Sequence, residues 1–360
     1  IKTSASEIKT LLEGKSKTIK LPENTEWYKI NINQEGFYRV QYDRESLEKL
    51  KELILKKHFS AFDRAGIQND LFDLTRIQEE YLNVYLDFIR VYASEDNQFV
   101  LSEIYSNIYS IYQIFSQEKN WEKIWLRFKN HLNEPFEKAF KNLGWEPREK
   151  ERHNDALLRP LALSYLAFSE NQEIINEGLK KFKEYLNRKK IHPDLKNSVF
   201  TIAARYNGAG IYDNLQMAYS KTEDIEEKMK LLSSLYKFKN PDLLKKSLDF
   251  ALTEKVRIQD LRTVFATINT NPEIKPIYFN WAKTNWKKLA KYQKVHFVFM
   301  TLLASLITSY TGKEKENEIK GFLNSKRVAY KKTQANSFET MQINTAWLER
   351  NRGVLEDYFK

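Results

Sequence analysis

The sequence predicts a mainly α protein, a HEAT/armadillo-like superhelix of short helices preceded by a short, incomplete β segment. Three observations predict it. Ten glycines and eight prolines in 360 residues are about half the usual share, too little punctuation for a loop-rich all-β chain. The hydrophobic period changes from two to about 3.6 near residue 44. Over residues 170–290 each amphipathic stretch runs only about 10–15 residues before the next begins, as in stacked helix pairs. No strict repeat is visible in the letters, so the period is one of helix lengths.

Residues 1–43 carry the β pattern. Lys17-Thr18-Ile19-Lys20-Leu21 alternates polar and apolar. Trp27-Tyr28-Lys29-Ile30-Asn31-Ile32 places Tyr28, Ile30 and Ile32 on one face, and Phe37-Tyr38-Arg39-Val40-Gln41-Tyr42 does the same with Tyr38, Val40 and Tyr42. Aromatic and β-branched alternation reads as strands. Gly36 ends the connection between the last two, where a hairpin tolerates positive φ. Three strands expose too much edge to stand alone. With no initiator Met, the expectation is a fragment of a longer protein whose sheet is completed elsewhere.

From residue 44 to 360 the pattern is helical. Ser60-Ala61-Phe62-Asp63 resembles a capping box and opens a helix with Ile67, Leu71 and Leu74 at helical spacing. Further helices are predicted at 80–94, 98–116, 119–142, 155–168 and 171–187. His192-Pro193, Asn240-Pro241 and Asn271-Pro272 each read as a cap followed by Pro in the first turn. Behind them run Leu195/Val199/Ile202, Leu244/Leu248/Ala251 and Ile274/Tyr278/Trp281. Two helices, 327–350 and 352–359, are expected to close the stack.

The formal net charge is +11 and the pI about 9.3, which raises nucleic acid as a partner. Lys alternates with Glu in stretches such as 226–230 and 313–316, however, as on a solvated helix face. No nucleic-acid motif appears and no apolar run approaches the ~18 residues of a membrane span, so neither partner is expected. The absence of Cys excludes disulfides and thiol catalysis and fits a cytoplasmic or thermophilic protein.

Self-contained catalytic machinery is not visible. His58, His131, His153, His192 and His296 are too far apart for His-Glu-x-x-His, which needs two His four residues apart on one helix face. They read as surface or capping residues. Gly208-x-Gly210 lacks the Lys-Ser/Thr of a phosphate loop and reads as a helix C-cap. Glu79-Glu80 and Glu226-Glu227 are adjacent and diverge on a helix. Trp121 and Trp125, four apart, read as core.

One pattern is more specific. Trp27-Tyr28-Lys29-Ile30-Asn31-Ile32-Asn33-Gln34-Glu35-Gly36-Phe37-Tyr38-Arg39-Val40-Gln41-Tyr42-Asp43 resembles the segment that ends the small β-sandwich domain of zinc aminopeptidases of the aminopeptidase N family. That family includes the endoplasmic-reticulum and archaeal tricorn-interacting aminopeptidases. The resemblance continues in order through Asp63-Arg64-Ala65-Gly66-Ile67-Gln68-Asn69-Asp70, Leu143-Gly144-Trp145-Glu146, Asp155-Ala156-Leu157-Leu158-Arg159, Ile191-His192-Pro193-Asp194-Leu195-Lys196, Asn271-Pro272, Trp281, Asn285-Trp286 and Trp347-Leu348-Glu349-Arg350-Asn351. The family's catalytic motifs, Gly-Ala-Met-Glu-Asn and His-Glu-x-x-His, are absent.

The resemblance implies a division at 1–43, the last strands of a β-sandwich, and 44–360, the helical superhelix. It implies a non-catalytic C-terminal region that walls the substrate cavity of an enzyme removing N-terminal residues from peptides. Its partners would be an upstream catalytic domain of the same protein and peptide substrates; zinc would sit in the parent enzyme and no cofactor in this chain. Trp27, Gly36, Tyr38, Arg39, Tyr42, Asp43, Asp63, Arg64 and Asp70 are expected to be structural. Some family members carry Arg before the Asn-Pro, facing a peptide C-terminus; here that residue is Thr270. A stand-alone helical scaffold for protein partners is the alternative.

Overall fold

A computed structural model describes residues 1–78 and 81–360; the Glu79-Glu80 pair lies outside the described residues. The segment before residue 44 is mostly irregular. Strand β1 (Lys2–Thr3) pairs antiparallel with β2 (Tyr28–Lys29), Lys2 opposite Lys29. Of the three predicted strands only 27–32 contains one, β2, whose partner β1 was not foreseen; 17–21 and 37–42 are not strands, and the chain turns where the second was expected to continue. Asn31, Asn33 and Gln34 adopt positive φ, which no strand accommodates. Gly36 does not have positive φ, contrary to the hairpin expectation. A Cβ there would lie 2.2 Å from the Tyr38 ring and 2.9 Å from Asn31 Oδ1, so Gly is required by close approach. Only residues 40–42 keep period-two burial, without pairing: Val40 and Tyr42 are buried and Gln41 is exposed, where the strap lies on the helices, whereas Phe37, Tyr38 and Arg39 are all exposed.

Eighteen α-helices follow among the described residues. They are α1 (Arg44–Leu55), α2 (Ala61–Leu74), α3 (Tyr81–Ile89), α4 (Gln98–Phe115), α5 (Trp121–Phe128), α6 (Asn133–Leu143), α7 (His153–Phe168), α8 (Gln172–Leu186), α9 (Pro193–Tyr206) and α10 (Ala209–Lys221). The second half contains α11 (Ile225–Ser234), α12 (Pro241–Ala251), α13 (Leu261–Ile268), α14 (Lys275–Thr284), α15 (Trp286–Leu289), α16 (His296–Thr308), α17 (Lys313–Ser325) and α18 (Lys331–Tyr358). Caps fix many starts. Ser60 Oγ accepts from Asp63 N at 3.1 Å, Asn240 Oδ1 from Asp242 N at 2.9 Å, Asn271 Oδ1 from Glu273 N at 3.2 Å, and His192 Nδ1 from Asp194 N at 3.4 Å.

Three expectations change. The predicted helix 119–142 is two helices, α5 and α6; Pro135 sits in the first turn of α6, where its missing N–H costs nothing. Gly208 is the N-cap of α10, and α9 ends at Tyr206 with Asn207 as its C-cap. The two expected closing helices are one, α18, which runs through Gly353. Trp347, Asn351 and Leu355, spaced four apart, are all buried, and that packing outweighs the ~1 kcal/mol helix penalty of Gly.

The helices form a closed circuit of contacts. In order, α4 touches α7, α7 touches α9, then α11, α13, α16 and α18 follow, and α18 returns to α3 and α4. Two hydrophobic cores fill the array, the first drawn mainly from residues 40–202 and the second from 182–341. Helix α18 serves both: Phe338 and Met341 join the second, Trp347, Leu348 and Leu355 the first.

Candidate functional site

Three members of the circuit turn one face toward a common cavity of about 360 Å³. Helix α4 presents Ser102, Tyr105, Ser106 and Tyr109, helix α7 presents Ser164, Ala167 and Phe168, and helix α9 presents Ser198, Thr201 and Arg205. These spacings of three, four and seven put each set on one side of its helix. Lys237, in the turn after α11, and Thr270, after α13, complete the wall.

The cavity concentrates positive charge. Arg205 Nη2 donates to Tyr112 Oη at 2.9 Å, and Lys237 Nζ donates to Thr270 Oγ1 at 2.7 Å. Neither cation has a carboxylate within 4 Å among the described residues. Burial and the neighbouring Arg205 charge push the Lys237 ammonium down to about 8. Nearby Lys275, bonded to the Gln113 carbonyl, is likewise pushed to about 8 by burial. Position 270 holds Thr rather than Arg, and its hydroxyl accepts from the Lys237 ammonium. Aromatic rings of Tyr105, Tyr109 and Phe168 pack together at 5.2–5.9 Å on the apolar side. Chemically, the cavity suits an anion with an apolar group beside it.

The sequence reading did not find Arg205, Lys237 or Lys275. A signal existed for one: Arg205 lies three residues after buried Ile202 and seven after Ser198, so a cation stands on the buried stripe of α9. Lys237 stands between the buried Tyr236 and Phe238 in an irregular turn, where no helical period marks which way it faces.

The residues singled out by sequence lie elsewhere, where the strap of residues 27–43 meets α1 and α2. Trp27 packs edge-on against His58 and Phe59. Tyr42 Oη accepts from Ile30 N at 2.9 Å. Asp43 caps α1 by accepting from Ser46 N at 2.8 Å, which lowers its pKa. Asp63 accepts from Asn33 N at 2.7 Å and lies 3.3 Å from the buried Lys29 ammonium. Arg64 forks onto Glu95 at 2.7 and 2.9 Å. Arg39 pairs with Asp73 and lies 3.8 Å from Asp70, whose carboxyl is pushed up to about 6, chiefly by burial. Tyr38 is exposed. Two other motif pieces are joined by one side chain: Arg159 donates to the carbonyls of Gly144 and Leu143 at 3.2 and 3.4 Å.

These residues do not fit zinc. His131 bonds the Leu86 carbonyl, His192 caps α9 and His296 meets Tyr330. No cluster of three or more His, Asp or Glu is arranged for a metal among the described residues. Glu226 bonds Lys230 while Glu227 bonds Tyr185, so the pair diverges.

Comparison with known proteins places the chain in a family. A model of the ERAP1-like C-terminal domain matches residues 27–343. Aminopeptidase M1-C of Oryza sativa subsp. japonica is 30% identical over 339 residues, covering 91% of this chain and 38% of that protein. Aminopeptidase M1 of Arabidopsis thaliana is 26% identical over 330 residues (90% and 37%), and glutamyl aminopeptidase of Homo sapiens 25% over 345 (94% and 36%). The chain thus spans under two fifths of the length of these curated relatives. With most of its length matched, the chain belongs to the ERAP1-like C-terminal domain family.

Proposed function

We propose that this chain is the non-catalytic C-terminal region of a zinc-dependent aminopeptidase, and that its helical array walls the substrate cavity. Residues 1–43 would be the end of a β-sandwich and 44–360 a HEAT-like superhelical bowl. Trp27, Tyr38, Arg39, Tyr42 and Asp43 of the strap would staple the two together, and Asp63, Arg64 and Asp70 of α2 would form the ion-paired network beneath them. The upstream catalytic domain would hold zinc, and the location would be cytoplasmic, as for a tricorn-interacting type. The observation that carries this reading is the pair of cations, Arg205 and Lys237, in an aromatic-walled cavity without counter-ion. A peptide whose N-terminus is being trimmed ends in a carboxylate, and two charge-assisted hydrogen bonds would hold it there.

Binding of a labelled peptide with a free C-terminus is expected to exceed that of its C-terminal amide by about tenfold or more. Lys237→Met should erase most of that difference. Affinity should also fall as pH rises through about 8, where Lys237 loses its proton. Equal binding of acid and amide would overturn the reading.

A further inference from the structure

A second cationic feature lies away from that cavity, on the outer surface where two segments meet. Residues 286–296 carry Lys287, Lys288, Lys291 and Lys294, and residues 325–332 carry Lys326, Arg327, Lys331 and Lys332; neither segment contains Asp or Glu. All eight cations are exposed. The segments are fastened side by side. Tyr330 Oη donates to the Gln293 carbonyl at 2.8 Å and meets His296 Nδ1 at 2.7 Å, and the Phe299 and Tyr330 rings lie 5.3 Å apart. Trp286 packs on Phe322 at 5.1 Å.

None of the eight pairs with a carboxylate among the described residues, whereas nearby Lys283, Lys313, Lys315 and Lys320 all do. The closest acid in sequence before the second segment, Glu318, already serves Lys283 and Lys315; after it, Glu339 lies two turns into α18. The N-terminus of α18, without a side-chain cap, adds its own positive potential. The alternation of Lys with Glu that holds at 226–230 and 313–316 does not hold here. Uncompensated like charges this close repel one another, and nothing in the fold uses them.

Exposed apolar side chains adjoin the patch: Phe297 is 73% exposed, Met300 38% and Val295 36%. One strongly exposed ring with two partly exposed aliphatic side chains beside a set of cations is the pattern that inserts at the level of lipid headgroups. We propose that this face docks the protein peripherally on an anionic lipid bilayer, the eight cations meeting lipid phosphates and carboxylates and Phe297 entering the interface. No helix among the described residues is long and apolar enough to cross a membrane; the contact is with one leaflet surface. The inference is independent of the peptide cavity.

Co-sedimentation of the 360-residue chain with phosphatidylcholine vesicles, with and without about one-third phosphatidylserine, tests it, since each basic side chain near an anionic surface is worth about fivefold in binding. Binding is expected only with phosphatidylserine and is expected to weaken steeply as salt rises from about 0.05 to 0.5 M. The fourfold variant Lys326→Gln, Arg327→Gln, Lys331→Gln, Lys332→Gln should lose about 600-fold if the four contributions add. Phe297→Ser should lose severalfold with its salt dependence unchanged. Should the fourfold variant melt early by circular dichroism, the matching variant of Lys287, Lys288, Lys291 and Lys294 carries the test. No binding to phosphatidylserine vesicles would overturn the proposal. So would random duplex DNA bound as tightly as vesicles with Phe297→Ser silent, which would make the face a nucleic-acid surface.

Discussion

The two hydrophobic cores are similar in apolar content but hold their polar groups differently. In the first, three cations are buried with their acids: Lys29 with Asp63, Arg64 with Glu95 and Arg159 with Glu151. Each also donates to backbone carbonyls of an irregular segment: Lys29 to Ile30 and Asn31, Arg64 to Phe59, Arg159 to Leu143 and Gly144. In the second, the same task falls to neutral groups. Asn271 Nδ2 donates to the carbonyls of Tyr236 and Phe238, Tyr236 Oη to that of Ser247, and Ser247 Oγ to that of Leu235. The buried acids there, Asp260 and Glu316, pair with cations that reach solvent. The difference follows the connectors. Long irregular runs leave several carbonyls under one patch of core, which a guanidinium or ammonium can gather. Short cap-and-Pro turns leave one or two, which an amide or hydroxyl can satisfy.

Mutation should expose that contrast. Glu95→Ala strands Arg64 in the first core and is expected to cost about 3–5 kcal/mol in urea unfolding. Asn271→Ala removes two buried bonds and a cap from the second and should cost less, about 1–3 kcal/mol. Equal losses would dissolve the distinction. Acid titration of stability sharpens it with smaller effects of opposite sign. Asp70 has its carboxyl raised to about 6 by burial, so the folded state holds this proton more tightly than the unfolded state. Its contribution is full below about 4 and is lost as pH rises through about 6. Glu316 is lowered to about 2, first by its bond from Lys320, so its contribution is present above about 4.5 and is lost as pH falls toward 2. Asp70→Asn should therefore raise Tm at pH 7 and flatten the pH 4–6 limb, while Glu316→Gln should lower Tm at pH 7.

Local signals carried most of the helical region. Asn240, Asn271 and Ser60 cap where their neighbours require, because a cap and its amide lie within three residues. The β segment misled for the same reason: Val40 and Tyr42 alternate in burial as a strand would, but pairing depends on distant backbone that period alone does not encode. The break expected at residue 351 is bridged because the stripe Trp347, Asn351 and Leu355 is buried against distant partners, Phe72 and Phe115 among them. The candidate cavity was least legible. Arg205, Lys237 and Thr270 come from three elements and 66 positions of sequence, and the lack of a carboxylate beside the two cations among the described residues is a fact about space.

Helix α18 gives the chain an unusual assembly order. Arg350 reaches back 274 positions to the Arg76 carbonyl, and Arg76 stacks over Trp347 at 4.5 Å. A nascent polypeptide emerging from the ribosome therefore cannot seal either half as it appears, since the helix both require is synthesised after both. Until then two apolar gaps stand open, so a stall or stop codon shortly before residue 331 would yield a sticky intermediate rather than a smaller working array.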